Sequence, residues 1–284
     1  MTEVGSKRFS ICIPHYGESE FLDDAITSAC AQSFDDFEVL VSVATSDDRV
    51  NRLRKNHDEK VMWLDPLFHH SIGEHWNFCI ENARGDFVVL LHNDDKLHPN
   101  YLKEIDRLIK LTRCSAYFCN AVIINDAGGS VKNLPDFLKS LFRPLASPYF
   151  MRGARGISLL AQGNFIFCPA VCYDRKLLSK MKFSEDYKMV LDLELFFRLL
   201  LNGHQMLGTN KKLFYYRRHS NNVTKKFEAS GLRFSEESKL FKQTASQCSK
   251  KEWFITSLLL SIRLSSRVYR LYTWFREVYL RKLS

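Results

Sequence analysis

The stretch that decides the fold is FSICIPHYGESEFLDDAITSACAQSFDDFEVLVS, residues 9–42. It holds two short apolar runs with β-branched residues, FSICIP and FEVLVS, which are typical of buried strands. Between them the apolar residues recur at helical spacing. A strand, a helix and a second strand in this order predict a βαβ unit with two parallel strands.

The alternation of strand and helix continues after this unit. Residues 61–64 and 87–91 have the pattern of strands, with a helix at 74–83 between them. Residues 101–111 and 116–124 have the patterns of a helix and a further strand. Such alternation predicts an α/β fold with a mostly parallel, doubly wound sheet.

The second half of the chain is less regular. Residues 133–163 mix Pro, Gly, Arg and aromatic residues without a clear period, which favours a long functional loop or cover. Residues 164–172 are predicted as a strand interrupted by Pro169, and residues 189–201 as a helix that ends near Gly203.

Composition indicates a folded protein of the cytoplasm. With 284 residues, of which 45% are hydrophobic, the chain can bury a substantial core. The polar start MTEVGSKR lacks the apolar region of a secretory signal, and no apolar run reaches the roughly 18 residues of a membrane-spanning helix. The eight cysteines show no CxxC spacing, so we expect reduced, buried thiols.

Positive charge is concentrated at the end of the chain. The formal net charge is +9, and residues 219–284 hold 13 Lys and Arg against 5 Asp and Glu. Residues 252–284 also carry an apolar helical stripe flanked by arginines. This profile fits either a helix in the interface of an anionic membrane or a helix that packs on the rest of the chain. We therefore expect a main domain, residues 1–224, and a basic amphipathic helical tail, residues 225–284.

Two adjacent carboxylates, Asp94 and Asp95, follow the predicted strand at 87–91. One interpretation is a turn or a helix cap, positions at which Asp is common. The other is a divalent-cation site, since oxygen ligands suit Mg²⁺ and Mn²⁺ and a cation would offset the repulsion between two carboxylates. The exits of parallel strands, where these residues lie, are also where open α/β sheets bind ligands.

Asp192 lies on the apolar face of the predicted helix at 189–201, because the residues three, four and seven positions later are all apolar. It is either a carboxylate satisfied by a backbone or Arg partner, or a general base with raised proton affinity. Glu194 points about 200° away around the helix and can pair with Arg198. His219, taken alone, is of a type found more often at the surface than as a ligand.

Taken together, these segments resemble glycosyltransferase family 2, whose members are inverting enzymes with the GT-A fold that use nucleotide-diphosphate sugars. The resemblance covers residues 9–224. Beyond the opening stretch it rests on GEHWNFCIENARGDFVVLLHNDDKLHPNYL at 73–102, on MVLDLELFFRLLLNGH at 189–204 and on FYYRRHSNNVT at 214–224.

The resemblance implies a role for each matching residue. Asp192 would be the general base, and Asp94, Asp95 and His219 would hold a divalent cation, Mn²⁺ or Mg²⁺, near the donor diphosphate. Asn164 would face the acceptor. The donor side would comprise Pro14, His15, Tyr16, Glu18, Asn77 and His92.

Two places depart from the family pattern. His92 stands where the fuller acidic motif has an Asp, as in a similar branch of the family with the pattern LH-x-DD. Val43 and Ala44 stand where the family usually has Asp residues that contact the nucleobase, a task that Asp47 or Asp48 could take over.

The resemblance implies an inverting, metal-dependent transferase that acts on a glycan or lipid-linked glycan, in the synthesis of a bacterial-type surface polysaccharide such as O-antigen or capsule. The protein would work in the cytoplasm, with the basic tail touching the inner face of the membrane. The alternative is a sugar-nucleotide-binding or scaffold protein of the same fold that has lost turnover, as Val43 and His92 suggest. A nucleic-acid binder is disfavoured, because the basic tail has no recognised motif.

Overall fold

A computed structural model describes residues 7–17, 19–45, 47–66, 71–132, 134–219 and 231–262. The chain opens with the predicted βαβ unit, formed by strand β1 (Phe9–His15), helix α1 (Leu22–Cys30) and strand β2 (Phe37–Val43). The two strands are parallel and in register along their whole length. Nearly every residue in them is buried, because helices cover both faces of the sheet at this point.

The remaining elements continue the alternation. In chain order they are α2 (Asp48–His57), β3 (Met62–Leu64), α3 (Ile72–Asn82), β4 (Phe87–Leu90), β5 (Lys96–Leu97), α4 (Tyr101–Leu111), β6 (Ala116–Ile124), α5 (Leu134–Ser140), β7 (Tyr149–Arg152), α6 (Gly153–Gln162), β8 (Val171–Asp174), α7 (Arg175–Lys180), α8 (Leu191–Leu201), β9 (Gln205–Arg217), α9 (Leu232–Lys250) and α10 (Phe254–Ile262).

In the described part of the chain, nine strands form one mixed sheet with helices on both of its faces. Its order is β3-β2-β1-β4-β8-β6-β9-β5, and β7 pairs with β9 beside this path. The strands β3, β2, β1 and β4 are parallel neighbours, as are β6 and β9. Strand β8 runs antiparallel between β4 and β6, so β1, β4, β6 and β9 all end at the same edge. The predicted fold class, a mostly parallel sheet between helices, is confirmed.

The irregular region differs from the expectation of a loop. Residues 133–163 contain the helices α5 and α6 and strand β7 in their described part. The predicted strand at 164–172 is wrong in its first half, because a 3₁₀ turn at Cys168–Ala170 precedes strand β8. Pro169 lies at the start of that turn, where the missing N–H of proline costs no hydrogen bond.

Two hydrophobic clusters cover the two faces of the sheet. Along β1, Cys12 belongs to one cluster and Ile11 to the other, as the alternation of a strand requires. The cluster with Cys12 contains the buried residues of α6 and α8, and also Phe241 of α9 and Leu260 of α10. Residues 232–262 therefore pack on the main domain, which is one of the two interpretations of the tail.

The predicted boundary at 224/225 lies outside the described residues, as does the part of the apolar stripe after Ile262. The division into domain and tail therefore stays a prediction. Among the helices of the described ranges, none combines the length and the apolar character that crossing a membrane requires.

Candidate active site

The shared edge of the sheet brings together three strand exits that are far apart in the chain. The Nδ1 atom of His15, the last residue of β1, lies 2.9 Å from the side-chain nitrogen of Asn93, which follows β4. Beyond β9, His219 places its Nε2 atom 3.1 Å from a carboxylate oxygen of Asp94. The predicted acidic motif thus meets two of its predicted partners at one place.

Asp95 is the buried centre of this cluster. Its Oδ1 atom accepts the backbone N–H of Arg217 at 2.8 Å, whereas its Oδ2 atom is buried and has no hydrogen-bond partner among the described residues. Burial raises the pKa of Asp95 well above its usual value, and the negative charge of Asp94 raises it further. A carboxylate in this setting is costly to keep ionised unless a cation compensates it.

His92 completes a set of donors that fits such a cation. Its Nδ1 atom lies 3.9 Å from Oδ2 of Asp95, and one ligand atom each from His92, Asp94 and Asp95 lies within 4.8 Å of the others. The ring is held beside Trp76, with 5.4 Å between the ring centroids. Burial lowers the pKa of His92, although Asp94 opposes the effect, and the neutral imidazole is the form that binds metals. Two carboxylates and one imidazole could hold a divalent cation, and the imidazole favours a transition metal over Mg²⁺.

Arg217 is a site residue that the sequence analysis missed. This buried side chain donates to the backbone carbonyls of Asp94 at 2.8 Å and Asp126 at 2.7 Å, and to the carboxylate of Asp24 at 2.6 Å. Its guanidinium carbon also lies 4.2 Å from the ring centroid of Phe21. Arg217 therefore locks the acidic motif to α1 and to the turn after β6. The sequence could have pointed to Arg217 through its spacing: it lies two residues before His219, and in an extended chain such residues face the same side.

The residues expected at the donor side are distributed unevenly. Pro14 and His15 are buried at the end of β1, and Tyr16 after them is exposed. The Nε2 atom of His15 is buried without a hydrogen-bond partner among the described residues. Glu18 lies outside the described residues.

Asn77 and Asp47, two other residues expected near the nucleotide, make hydrogen bonds that stabilise the fold. The amide of Asn77 donates to the carbonyl of Phe183 at 3.0 Å and accepts its N–H at 2.9 Å. Asp47 caps α2 by accepting the N–H of Val50 at 2.8 Å, and Val43 is buried in β2. These hydrogen bonds of Asn77 and Asp47 do not involve Asp94 or Asp95.

The predicted base lies in the first turn of α8, next to the residue predicted to face the acceptor. Asn164 donates its side-chain N–H to Oδ2 of Asp192 at 3.3 Å. Burial raises the pKa of Asp192, while hydrogen bonds and the charge of Arg233 act against the increase. As the sequence indicated, Glu194 faces elsewhere and pairs with Arg198 at 2.8 Å.

The base and the acidic cluster belong to one region. Burial raises the pKa of the Cys168 thiol, and the negative charges of Asp192 and Asp95 raise it further. The charges of both carboxylates therefore act on one thiol, in the 3₁₀ turn that leads into β8. The candidate cation site and the candidate proton acceptor are thus both within electrostatic reach of this turn.

Comparison with known proteins gives a family and several relatives. The model of the family described as Glycosyl transferase family 2 matches residues 10–180, more than half of the chain. The poly(ribitol-phosphate) beta-N-acetylglucosaminyltransferase TarS of Staphylococcus aureus is 24% identical over 217 residues, which are 74% of this chain and 35% of that protein. A GalNAc(5)-diNAcBac-PP-undecaprenol beta-1,3-glucosyltransferase of Campylobacter jejuni is 30% identical over 94 residues, 32% of this chain and 30% of that protein. The chain spans about a third of the length of these relatives.

Solved structures share the fold. The structure of S. aureus TarS 1-349 in complex with UDP-GlcNAc superposes with a TM-score of 0.64 at 18% identity, covering 84% of this chain and 66% of that one. The mannosyltransferase PcManGT of Pyrobaculum calidifontis, in complex with GDP-Man and Mn²⁺, gives a TM-score of 0.64 at 15% identity and covers 95% and 75%. These likenesses show a GT-A fold, and the match of the family model shows that the chain belongs to glycosyltransferase family 2.

Proposed function

We propose that the protein is an inverting glycosyltransferase that moves a sugar from a nucleotide-diphosphate sugar to a hydroxyl group of a glycan or lipid-linked glycan, in surface polysaccharide synthesis. One observation carries the proposal: His92, Asp94 and Asp95 bring one ligand atom each within 4.8 Å of one another at the strand exits, where the buried Oδ2 atom of Asp95 has no hydrogen-bond partner among the described residues. Membership of family 2 supports transfer from a nucleotide sugar. The names of the two relatives, one acting on poly(ribitol-phosphate) and one on an undecaprenol-linked glycan, support a glycan acceptor.

The donor end of the cleft is built to receive a diphosphate. A divalent cation held by Asp94, Asp95 and either His92 or His219 would offset the negative charge that develops on the leaving nucleoside diphosphate. Arg217 holds the acidic motif in place, since its side chain donates to the backbone carbonyl of Asp94 and its backbone N–H donates to Oδ1 of Asp95. The Oδ2 atom of Asp95, which has no hydrogen-bond partner among the described residues, is the oxygen that would bind the cation.

At the acceptor end, Asp192 takes the proton from the attacking hydroxyl group. A carboxylate with a raised pKa is a better base than one in water, and the amide of Asn164 holds it in one orientation. Attack from the face opposite to the leaving diphosphate, in a single displacement, inverts the anomeric centre. The sugar ring would lie between the two ends of the cleft.

The test is a matched pair of variants on α8. We expect Asp192→Asn to keep metal-dependent binding of the nucleotide sugar and to lose transfer by about 10²-fold or more, because proton transfer by a positioned base contributes roughly that factor. Glu194→Gln removes a carboxylate two residues away that faces Arg198, and should leave transfer unchanged. Full turnover by Asp192→Asn would remove the base assignment.

A binding or scaffold protein of the same fold is the second candidate, because Val43 stands where the family usually has an acid that contacts the nucleobase. Metal-dependent release of nucleoside diphosphate separates the two candidates. Release that disappears in Asp95→Ala indicates an enzyme, and binding without release indicates the scaffold. Thermal-shift measurements with a panel of nucleotide sugars and Mn²⁺ identify the donor to use in this assay.

For a lipid-linked acceptor we propose peripheral contact with the inner face of the cytoplasmic membrane through residues 225–284. Three residues on the outer side of α10 support such contact, because Phe254, Ile255 and Leu258 are all exposed. The sequence that follows Ile262 continues with apolar residues and arginines. Apolar residues flanked by basic ones favour the interface of an anionic membrane.

A further inference from the structure

Helix α5 carries its apolar face outwards. Three of its residues follow the spacing i, i+3 and i+4, and two more apolar residues lie in the turn after the helix. Their exposed fractions are 55% for Leu134, 60% for Phe137, 37% for Leu138, 64% for Leu141 and 98% for Leu145. A contiguous apolar patch of this kind on a folded protein marks a place of interaction. We call these five residues the α5 patch.

The turn after α5 is ordered by polar contacts that leave its leucine in solvent. The side-chain amide of Asn210, on β9, donates to the carbonyls of Pro144 at 3.1 Å, Leu145 at 3.2 Å and Ala146 at 3.3 Å. These bonds hold the backbone against the sheet. The Leu145 side chain therefore projects from a fixed position, without packing on the core.

The α5 patch is joined to the acceptor end of the cleft. Arg143 donates to the carbonyl of Phe165 at 3.1 Å, and its guanidinium carbon lies 5.7 Å from the centroid of that ring. Phe165 follows Asn164, which holds Asp192. The turn after α5 thus adjoins the segment that carries Asn164, the partner of the proposed base.

The charge around the patch selects the chemistry of its partner. Residues 131–145, which contain the patch, hold three basic residues and one acid; they are Lys132, Lys139 and Arg143 against Asp136. Of the basic residues, Lys132 is exposed. Apolar side chains surrounded by basic ones match the acyl boundary and the phosphates of an anionic bilayer. A second copy of the chain fits less well, because a symmetric pair would place these like charges opposite each other.

We propose that the α5 patch docks on an anionic lipid bilayer and delivers a lipid-linked acceptor to the cleft. The docking stands on the described surface alone, whereas the delivery rests on the proposed function. This contact is separate from the one proposed for residues 225–284, since α5 belongs to the main domain. The protein would then bind its acceptor at the membrane surface.

The experiment uses the full chain and two kinds of vesicle, phosphatidylcholine with and without phosphatidylglycerol. The variant Phe137→Ser/Leu141→Ser removes two exposed side chains, so we expect unchanged circular dichroism and thermal unfolding. The control Leu111→Ser removes a leucine that is 57% exposed at the end of α4, whose buried residues belong to the other hydrophobic cluster. We expect flotation of the wild type and of the control with the anionic vesicles only, and a loss of about tenfold or more for the double variant, equivalent to about 1.4 kcal/mol.

Flotation of the double variant equal to that of the wild type overturns the proposal and leaves the tail as the contact. Equal binding of the wild type to both kinds of vesicle contradicts the charge argument. A wild-type dimer that the double variant converts to a monomer, with no flotation, replaces the membrane by a second copy. Metal-dependent release of nucleoside diphosphate is measured in parallel, because its absence in a floating wild type contradicts the proposed function and leaves the docking intact.

Discussion

Replacement of Asp95 by Asn tests whether this residue is kept for binding at the expense of stability. The amide is nearly the same shape as the carboxylate, and its oxygen can still accept the N–H of Arg217. The change removes the charge from the buried Oδ2 position, which has no partner among the described residues, and it removes the repulsion from Asp94. We therefore expect the metal-free variant to be more stable than the wild type.

The expected size follows from the charge that is removed. A buried polar group without a partner costs more when it is charged than when it is neutral, so the free energy of unfolding should rise by on the order of 1 kcal/mol or more near pH 8 in EDTA. A ligand at 100 times its Kd stabilises a protein by about 2.7 kcal/mol, which the wild type should gain from Mn²⁺ and the variant should not. Without metal the variant should be the more stable of the two proteins, and with Mn²⁺ bound the wild type should be.

The pH dependence has a definite sign. The pKa of Asp95 is raised in the folded state, so the penalty of its charge is fully present above that pKa. As the pH falls through the raised pKa, protonation removes the penalty from the wild type. The advantage of Asp95→Asn in EDTA should therefore shrink towards acid pH.

Urea unfolding, followed by the fluorescence of the four tryptophans, measures these quantities. The control is Asp106→Asn, because both oxygens of Asp106 are paired, one with Arg8 at 3.3 Å and one with Lys110 at 2.7 Å. This control should gain no stability. A metal-free Asp95→Asn less stable than the wild type would refute the reasoning, and so would a variant that keeps the full stabilisation by Mn²⁺.

Three further predictions concern the partners of the two carboxylate sites. Arg217→Met should lower the free energy of unfolding by about 1–3 kcal/mol, because it leaves two carbonyls and the half-exposed carboxylate of Asp24 without this donor; unchanged urea unfolding contradicts this. Glu236→Gln should slow transfer more than it weakens donor binding, since this carboxylate of α9 accepts the N–H groups of Lys188 and Met189 just before α8; equal effects on kcat and KM contradict it. The kcat of transfer should fall as the pH drops through the raised pKa of Asp192, and a kcat that stays constant down to the usual pKa of Asp, about 3.9, contradicts it.

Much of the fold could be predicted because it is written in local patterns. The helix at 101–111 and the strand at 116–124 have the predicted bounds, since apolar period and flanking turn residues mark both ends. The position of Asp94 and Asp95 just after a strand was predicted because these carboxylates interrupt an apolar run that ends with β4. Helix α5 was missed, because its apolar residues face solvent and so have no pattern of one buried side.

The supports of the site could not be predicted in the same way. Arg217 binds the acidic motif across 122 residues of chain, and Glu236 reaches the start of α8 across 48. The residues around a charged side chain in a helix or at a strand end are the same in the sequence whether that side chain is exposed to solvent or buried. Its partner depends on which helices and strands are neighbours in the folded protein, and the strand order of the sheet sets that.

The sequence by itself determined the βαβ order, the burial of the central strands, and the two places where carboxylates interrupt apolar surroundings. These are local properties, because the period of the apolar residues and the length of each run set the type of element and its buried side. The tertiary structure alone established that Asp95 has one buried oxygen without a described partner, that Arg217 braces it, and that the charges of Asp95 and Asp192 act on the same thiol, Cys168. Those facts depend on β1, β4 and β9 ending at one edge, and strand order arises from packing between segments distant in the chain.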